Sequence, residues 1–186
     1  MALGAAFEEV LAAARDGAEW AVAAIYRDLH PPLLAYLRAL EPGEADDLAS
    51  EVWLGVGRGL HRFEGDEGAF RGWAFTIARR RVVDLRRSRG RRQTEPAATE
   101  EFATIAGSED PEAAALDAVS ADEVRRRIVE LLPPDQADVV LLGVVGGLGA
   151  RQIADVLGKR PGAVRVLQHR ALKRLAKALD PRGVTR

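Results

Sequence analysis

Apolar residues recur at helical spacing along most of the chain, and no stretch shows the two-residue alternation of a half-buried β-strand. The clearest helical stripe contains Ile153 and Leu157, and a second stripe begins at Val164. Between the two stripes, Gly158 suits the left-handed residue that ends a helix, and Pro161 suits the first turn of the next helix. The pattern therefore predicts a helix-turn-helix within an all-α protein.

The same periodicity predicts further helices upstream of this motif. We expect them over residues 18–40, 44–60, 71–89, 121–131 and 136–145. Pro31 and Pro32 predict a break that divides the first of these segments into a helix pair. The second segment contains Gly55, Gly57 and Gly59, which each cost a helix roughly 1 kcal/mol relative to alanine. The second half of that helix should therefore need tertiary support.

Charge is unevenly distributed along the chain, although the formal net charge is only −1. Arginines crowd the end of the first half, and a second basic cluster lies near the C-terminus. Between them, residues 93–124 contain acids but no Lys or Arg, and most of this stretch has too few bulky apolar residues to form a core. The predicted organisation is two small helical domains, at residues 1–92 and 121–180, joined by a flexible acidic linker at residues 93–120.

The residue types exclude several kinds of chemistry. The 186-residue chain has no cysteine, which excludes disulfides and thiolate metal sites. Its three histidines, His30, His61 and His169, lack the spacing of metal ligands, so we expect neither a metal nor a cofactor. No apolar run is long enough for a membrane span, and the N-terminus does not resemble a signal peptide. We therefore expect a cytoplasmic protein.

The second helix of the predicted helix-turn-helix is basic on its outward face. The side chains on that face can bond base edges or phosphates in a major groove, and they are Arg165, Gln168, His169, Arg170, Lys173 and Arg174. The alternative is an ordinary helical bundle with a solvated basic face. The short, glycine-punctuated helix pair favours DNA binding.

Four segments of the chain together resemble a known family. Residues 131–175 are similar to region 4 of bacterial RNA polymerase sigma factors of the extracytoplasmic function (ECF) type, a compact group of the sigma-70 family with only regions 2 and 4. The first half resembles region 2, with residues 26–37 similar to region 2.1, 46–53 to region 2.2 and 70–84 to regions 2.3 and 2.4. The resemblance implies a specificity subunit, without catalysis of its own, that binds core RNA polymerase and directs it to promoters.

In this family the region 2.2 helix docks on a coiled coil of the polymerase β′ clamp. The resemblance assigns that contact to Asp46, Asp47, Leu48 and Glu51. Ser50 stands where the family usually has glutamine, so we expect one polar contact to the clamp to be shortened or lost.

Regions 2.3 and 2.4 of the family open and read the −10 promoter element. We expect residues 63–70 to form an exposed, aromatic-bounded loop, because this stretch is polar and contains glycine. The resemblance assigns −10 DNA binding to Phe63, Phe70, Arg79, Arg80, Val83, Arg86 and Arg87. Aromatic faces suit flipped bases, and arginine suits the single-strand backbone. Arg80 stands where many members have asparagine, which leaves the −10 base preference open.

Region 4 of the family reads the −35 element with the second helix of its helix-turn-helix. The resemblance assigns −35 DNA binding to Gly162, Ala163, Arg165, Val166, His169, Arg170 and Lys173. Val166 stands where a small hydroxyl residue is common, and it can contact a thymine methyl but cannot accept a hydrogen bond. The acidic linker is either a segment that threads toward the RNA exit path or a solvated tether. The family also suggests an anti-sigma factor that clamps between the two domains.

Three other functions compete with this interpretation. A helix-turn-helix regulator that acts without core polymerase could own the same C-terminal helices, but a response regulator would need an alternating β/α domain that the first half lacks. A sigma-like adaptor that only titrates an inhibitor would not need Arg165 and Arg170. A nuclease would need clustered carboxylates, for which Asp46, Asp47 and Glu51 are the candidates, and helix-start and docking roles explain these acids better.

Overall fold

The computed structural model describes residues 3–92 and 112–179, and within these ranges all regular structure is helical. The prediction of an all-α fold is therefore confirmed. The helices are α1 Phe7–Arg15, α2 Glu19–Leu40, α3 Ala45–Gly59, α4 Glu67–Arg92, α5 Glu112–Leu131, α6 Pro134–Val144, α7 Ala150–Leu157 and α8 Pro161–Leu179. In this part of the chain, no helix is both long enough and apolar enough to cross a membrane.

The predicted break at Pro31 and Pro32 is wrong, because α2 continues through both prolines. Proline lacks the amide that would donate to the carbonyl four residues earlier, which weakens a helix locally. Leu29 and Leu33 lie on the buried face on either side of the break that was expected, and both are almost fully excluded from solvent. Packing of this face stabilises one long helix against the local preference.

Helices α3 and α4 approach each other closely at two of the glycines in α3. A Cβ atom at Gly55 would lie 3.1 Å from Ile77 Cγ2, and a Cβ atom at Gly59 would lie 2.6 Å from Trp73 Cζ2. A Cβ atom at Gly57, in contrast, would meet no atom within 4 Å. The glycines at 55 and 59 thus make room for bulky side chains of the neighbouring helix.

Helix α4 begins four residues earlier than the sequence pattern predicts. Its first turn is capped by Asp66, whose Oδ1 accepts a hydrogen bond of 2.7 Å from the backbone amide of Ala69. Residues 67–70 of the expected loop are therefore helical, and the loop before α4 is short.

The helix-turn-helix of α7 and α8 is confirmed, together with the two residues that shape its turn. Gly158 has φ +63° and ends α7, and Pro161 is the first residue of α8. At the start of α7, the Gln152 Oε1 accepts a hydrogen bond of 2.7 Å from the Gly149 amide. The turn between the two helices is thus formed by the two residues that the sequence indicates.

Helix α5 starts at Glu112, so it includes the last nine residues of the stretch that was predicted to be a linker. Residues 93–111, the rest of that stretch, lie outside the described residues. The placement of the linker between residues 93 and 120 therefore needs correction at its C-terminal end, where the helix begins earlier than expected.

One hydrophobic core runs through both halves of the chain. It contains Leu33 and Phe75 from the first half together with Leu141 and Ile153 from the second. Helix α7 packs against α4, and α5 packs against α2. In this structure the two predicted domains are therefore packed on each other rather than separate.

Candidate nucleic-acid interface

Helix α8 presents to solvent all the residues that were expected to contact the −35 element. Val164 and Ala171 are fully buried and fix this helix against α6 and α7. Leu172, the next residue along the helix, is 61% exposed. The exposed set is Gly162, Ala163, Arg165, Val166, His169, Arg170 and Lys173.

A basic groove continues this face toward the C-terminal end of α8. It is open to solvent, has a volume of about 350 Å³, and is lined by Gln136, Arg170, Lys173, Arg174 and Lys177. No acid lines it, and a row of cations on one helix face suits the phosphate backbone of DNA. Gln136 was not predicted, because it comes from α6 and no pattern in the sequence links it to α8.

The aromatic side chains expected to meet −10 bases pack mainly on one another. Phe63 lies edge-on to Phe70, with ring centroids 5.1 Å apart, and stacks on Trp73 at 5.2 Å. Phe70 is only 3% exposed and also packs on Phe7. The assignment of Phe70 to DNA contact is therefore wrong in this structure, because its ring forms part of the core. Phe63 is half-buried and remains at the surface.

Two of the four arginines expected to bind −10 DNA, Arg79 and Arg86, pair with buried carboxylates. The Arg86 Nε donates a hydrogen bond of 2.6 Å to Glu41, a carboxylate that is only 8% exposed. Arg89 pairs with the other oxygen of the same carboxylate, also at 2.6 Å. Arg86 therefore stabilises the fold rather than presenting its charge freely. The Arg86 side chain is nevertheless 43% exposed, and Arg80 and Arg87 are exposed as well.

The residues expected to dock on polymerase differ in their exposure on α3. Asp46, Asp47 and Glu51 are exposed on α3, but Leu48 is 5% exposed and belongs to the core. Leu48 is therefore not available for the predicted contact. Leu54, one turn beyond Glu51, is 63% exposed and was missed. The sequence indicates Leu54 only as an apolar residue that lies outside the apolar stripe of its helix.

Ion pairs hold the acids of this face only loosely. Asp46 lies 3.5 Å from Arg38, and Glu51 lies 3.4 Å from Arg81. These side chains are substantially exposed, and such pairs contribute little to stability. Ser50 donates a hydrogen bond of 3.0 Å to the carbonyl of Asp46, so its side chain bonds its own helix.

An aromatic cluster of Tyr26, His30 and Trp53 lies beside this acidic face and was also missed. Tyr26 stacks on His30 with ring centroids 4.4 Å apart, and Trp53 Nε1 donates a hydrogen bond of 3.1 Å to His30 Nδ1. Burial lowers the pKa of His30, and the nearby Asp46 carboxylate opposes this shift. Tyr26 is 42% exposed, so the cluster borders the surface. Among the described residues, no group of three His, Asp or Glu side chains could hold a metal ion.

Comparisons with known proteins agree with this geometry. The family model Sigma-70 region 2 matches residues 25–92, and the family model Sigma-70, region 4 matches residues 125–175. The ECF RNA polymerase sigma factor SigD of Mycobacterium tuberculosis is 35% identical over 182 residues, which cover 92% of this chain and 83% of that protein. The ECF RNA polymerase sigma factor ShbA of Streptomyces griseus is 35% identical over 157 residues, covering 79% of this chain and 81% of that protein.

Two solved structures have the same fold. One is CnrH in complex with the cytosolic domain of CnrY, with a TM-score of 0.67, 21% identity and coverage of 94% of this chain and 97% of that chain. The other is the sigma factor RpoE in complex with the anti-sigma factor NepR from Bartonella quintana, with a TM-score of 0.64, 21% identity and coverage of 86% and 97%. The two family models, which match residues 25–92 and 125–175, thus fall on the helices of the first half and of the second half respectively.

Proposed function

Because this chain belongs to the ECF RNA polymerase sigma factors, we propose how its surfaces divide the work of promoter recognition. As a member of this family it directs transcription initiation at promoters. We assign core polymerase binding and the −10 element to residues 1–92, and the −35 element to residues 121–180. The chain carries out no reaction of its own in this proposal, and it acts in the cytoplasm with the polymerase.

The exposed basic face of α8 is the observation that carries the proposal. Arg165 and His169 are four residues apart and therefore lie on one side of the helix, and Arg170 is adjacent. These side chains can enter one major groove, while the basic groove toward Lys177 can follow the phosphates. Burial of Val164 on the opposite side supports this orientation.

The first half offers a narrower set of residues for the −10 element than the resemblance alone implies. We retain Arg80, Arg87, Val83 and Phe63, which are exposed or half-buried, and leave out Arg79 and Arg86, which pair with buried carboxylates. Exposed guanidinium groups at the end of α4 suit a single-stranded backbone.

The acidic face of α3 is the surface that we propose for the polymerase β′ clamp. Asp47 and Glu51 supply negative charge, and Leu54 adds an exposed apolar contact next to them. An apolar centre with a charged rim is typical of protein–protein interfaces.

We also propose an anti-sigma factor as a partner, as RpoE of Bartonella quintana was solved with NepR. Exposed apolar side chains of α2 support a further protein partner, since Trp20 is 56% exposed and Val22, which lines an open surface pocket together with Tyr26, is 45% exposed. Such side chains are expected where a protein binds another one.

Run-off transcription tests the function directly. Purified protein should copurify with core RNA polymerase, and the two together should start transcripts from particular genomic fragments that core polymerase alone does not use. Sequence-specific DNA binding without polymerase, combined with an absence of run-off transcripts, would favour a helix-turn-helix regulator. Binding of an inhibitor without either activity would favour a sigma-like adaptor.

A further inference from the structure

Helix α1 is not part of the surfaces proposed for DNA or polymerase, and it lies before the residues that the region 2 family model matches. It packs on α2. Its Phe7 also reaches the start of α4, where the ring centroids of Phe7 and Phe70 are 5.7 Å apart. The first helix is therefore in contact with the part of the chain that is expected to meet the −10 element.

Arg15, the last residue of α1, binds the backbone ahead of α4. Its Nε donates a hydrogen bond of 3.4 Å to the carbonyl of Leu60, and its Nη2 donates to the carbonyl of Phe63. Leu60 begins the short 3₁₀ turn that follows α3, and Phe63 comes directly after this turn. Carbonyls at the end of a helix lack donors from their own helix, and a cation there also interacts favourably with the helix dipole. One guanidinium thus fixes the backbone that carries the Phe63 side chain.

A second contact fixes the far end of the same backbone segment. Glu67 is the first residue of α4, and its carboxylate binds the N-terminal segment of the chain. The backbone amide of Leu3 donates to Oε1 at 3.0 Å, and that of Gly4 donates to Oε2 at 2.7 Å. Residues 63–66, the loop before α4, therefore lie between two contacts with the N-terminal segment.

The loop formed by residues 63–66 is tightly folded against the Phe63 ring. Gly65 has φ +145°, and a Cβ atom there would lie 2.9 Å from Ala69 Cβ and 3.1 Å from Phe63 Cζ. The Phe63 ring in turn stacks on Trp73, with centroids 5.2 Å apart. The position of this ring therefore depends on the loop backbone as well as on Trp73.

We propose that Arg15 is a positioning residue for recognition of the −10 element. By binding the carbonyls of Leu60 and Phe63, it holds the loop in the conformation in which the half-buried Phe63 ring can stack on an unpaired base. Arg15 itself does not contact DNA. A loop that is ordered before binding loses less conformational freedom on binding, which raises affinity. This inference rests on the proposed role of Phe63 in −10 binding.

Hydrogen exchange of the free protein measures the order of the loop directly. Arg15→Ala should raise amide exchange in residues 63–66 by about tenfold, because opening of the loop no longer breaks the two bonds to Arg15. Arg27→Ala is the matched control, since it removes an exposed arginine whose Nε bonds the carbonyl of Ala23 in its own helix at 3.2 Å. Wild-type exchange of the loop in Arg15→Ala would overturn the proposal.

A double-mutant cycle of Arg15→Ala and Phe63→Ala tests the consequence for DNA. The full chain with core polymerase is titrated with a promoter fragment recovered by run-off transcription. Arg15→Ala alone should weaken binding about five- to tenfold, because only a fraction of the loops remains competent. In the Phe63→Ala background it should weaken binding less than about twofold, since the ring that Arg15 positions is gone. An equal fold-change in both backgrounds would overturn the proposal.

The same cycle distinguishes failure of this inference from failure of the proposed function. Wild-type promoter binding by Phe63→Ala would remove the assignment of Phe63 to the −10 element, and the role of Arg15 with it. Weakened binding by Phe63→Ala beside unchanged binding by Arg15→Ala would overturn the role of Arg15 alone.

Salt dependence separates positioning from direct contact with a phosphate. Loss of one phosphate contact lowers the slope of log affinity against log salt by about one, whereas Arg15→Ala should keep the wild-type slope. Arg15→Lys retains the charge but lacks the planar fork that reaches two carbonyls, so it should restore only part of the affinity. Full affinity of Arg15→Lys together with a lowered slope for Arg15→Ala would show that Arg15 binds DNA itself.

Circular dichroism shows whether Arg15→Ala remains folded. If it does not, Arg15→Gln replaces it in both experiments, because glutamine keeps a donor for one of the two carbonyls. Its effects on loop exchange and promoter binding should have the same direction and a smaller size. Wild-type exchange and wild-type binding in Arg15→Gln would reject the positioning role.

Discussion

Trp53 donates a hydrogen bond of 3.1 Å from its indole Nε1 to the Nδ1 of His30. This bond requires His30 to be neutral, since a protonated imidazole has no acceptor. Burial lowers the pKa of His30 below its ordinary 6.5. The folded state therefore binds fewer protons than the unfolded state between the two pKa values, and the free energy of unfolding falls as the pH drops through this window.

We predict that this loss of stability on acidification is smaller when His30 cannot titrate. His30→Gln retains an oxygen that can accept from Trp53 but has no titrating group. Urea unfolding at about pH 8 and about pH 5 should show a smaller decrease for the variant than for the wild type. A titration of the His30 ring protons by NMR should give a pKa below 6.5. An equal decrease in both proteins would exclude His30 as the responsible group.

Some features of this fold could be predicted from local sequence, and others depend on contacts between distant segments. The turn of the helix-turn-helix was predictable because Gly158 and Pro161 determine local backbone geometry. Continuity of α2 through Pro31 was not, because packing of residues on either side opposes the local preference. The buried pairing of Asp138 with Arg79 was missed for the same reason, since the two residues lie 59 positions apart along the chain.

The residues of the candidate site show the same difference between features set by local sequence and features set by distant contacts. On α8, exposure follows from the spacing of apolar residues within one helix, and the predicted −35 residues are all at the surface. On α4, the outcome depends on neighbours from elsewhere, so the sequence could not distinguish Arg86, which pairs with Glu41, from exposed Arg80. Phe70 looked like a loop residue only because α4 was expected to start later than it does.

Two glycines of α3 should respond in opposite ways to replacement by alanine. Gly57→Ala adds a Cβ where no atom lies within 4 Å, so it should stabilise the helix by up to about 1 kcal/mol. Gly59→Ala places a Cβ 2.6 Å from Trp73, so it should destabilise the protein by about 1–3 kcal/mol. Urea unfolding of both variants measures the difference. The same sign of change in both would contradict the close packing of α3 on α4.

Replacement of Arg86 should mainly lower stability, whereas replacement of Arg80 should mainly weaken DNA binding, although both residues lie on α4. Arg86→Ala removes a partner of the buried Glu41 carboxylate and should cost roughly 1 kcal/mol of stability, since Arg89 remains bound to Glu41. Arg80→Ala should change stability by less than about 0.5 kcal/mol, because the side chain is exposed.

Promoter binding, in contrast to stability, should be weakened more by Arg80→Ala than by Arg86→Ala. Arg80→Ala should reduce the slope of log affinity against log salt by about one, as expected for the loss of one phosphate contact. Titrations with a promoter fragment over a range of salt concentrations measure this slope. If Arg80→Ala keeps the wild-type slope, the exposed guanidinium does not contact DNA in the complex.

Reversal of charge on α3 should weaken assembly with core polymerase. Asp47→Lys combined with Glu51→Lys inverts the exposed acidic face, and we expect a loss of affinity of at least about tenfold from like-charge repulsion across the interface. Glu8→Lys combined with Glu9→Lys, at two exposed acids on α1, is the control for an equal change of net charge. Undiminished holoenzyme assembly by the double variant would remove the assignment of this face.

Base discrimination at the −35 element should depend on Arg165 more than on the cations farther along α8. A guanidinium in the major groove can bond a guanine at two points, and each such contact discriminates against the wrong base by about 1–3 kcal/mol. Arg165→Ala should therefore relax the preference at one or two base positions, whereas Lys177→Ala, in the basic groove, should weaken binding to all sequences evenly. Binding-site selection with each variant in the full-length protein and core polymerase distinguishes these outcomes. Arg170 lies next to His169 on the same exposed face of α8, so it can also enter the DNA major groove. Retention of the wild-type base preference by both Arg165→Ala and Arg170→Ala would therefore show that α8 does not read the bases.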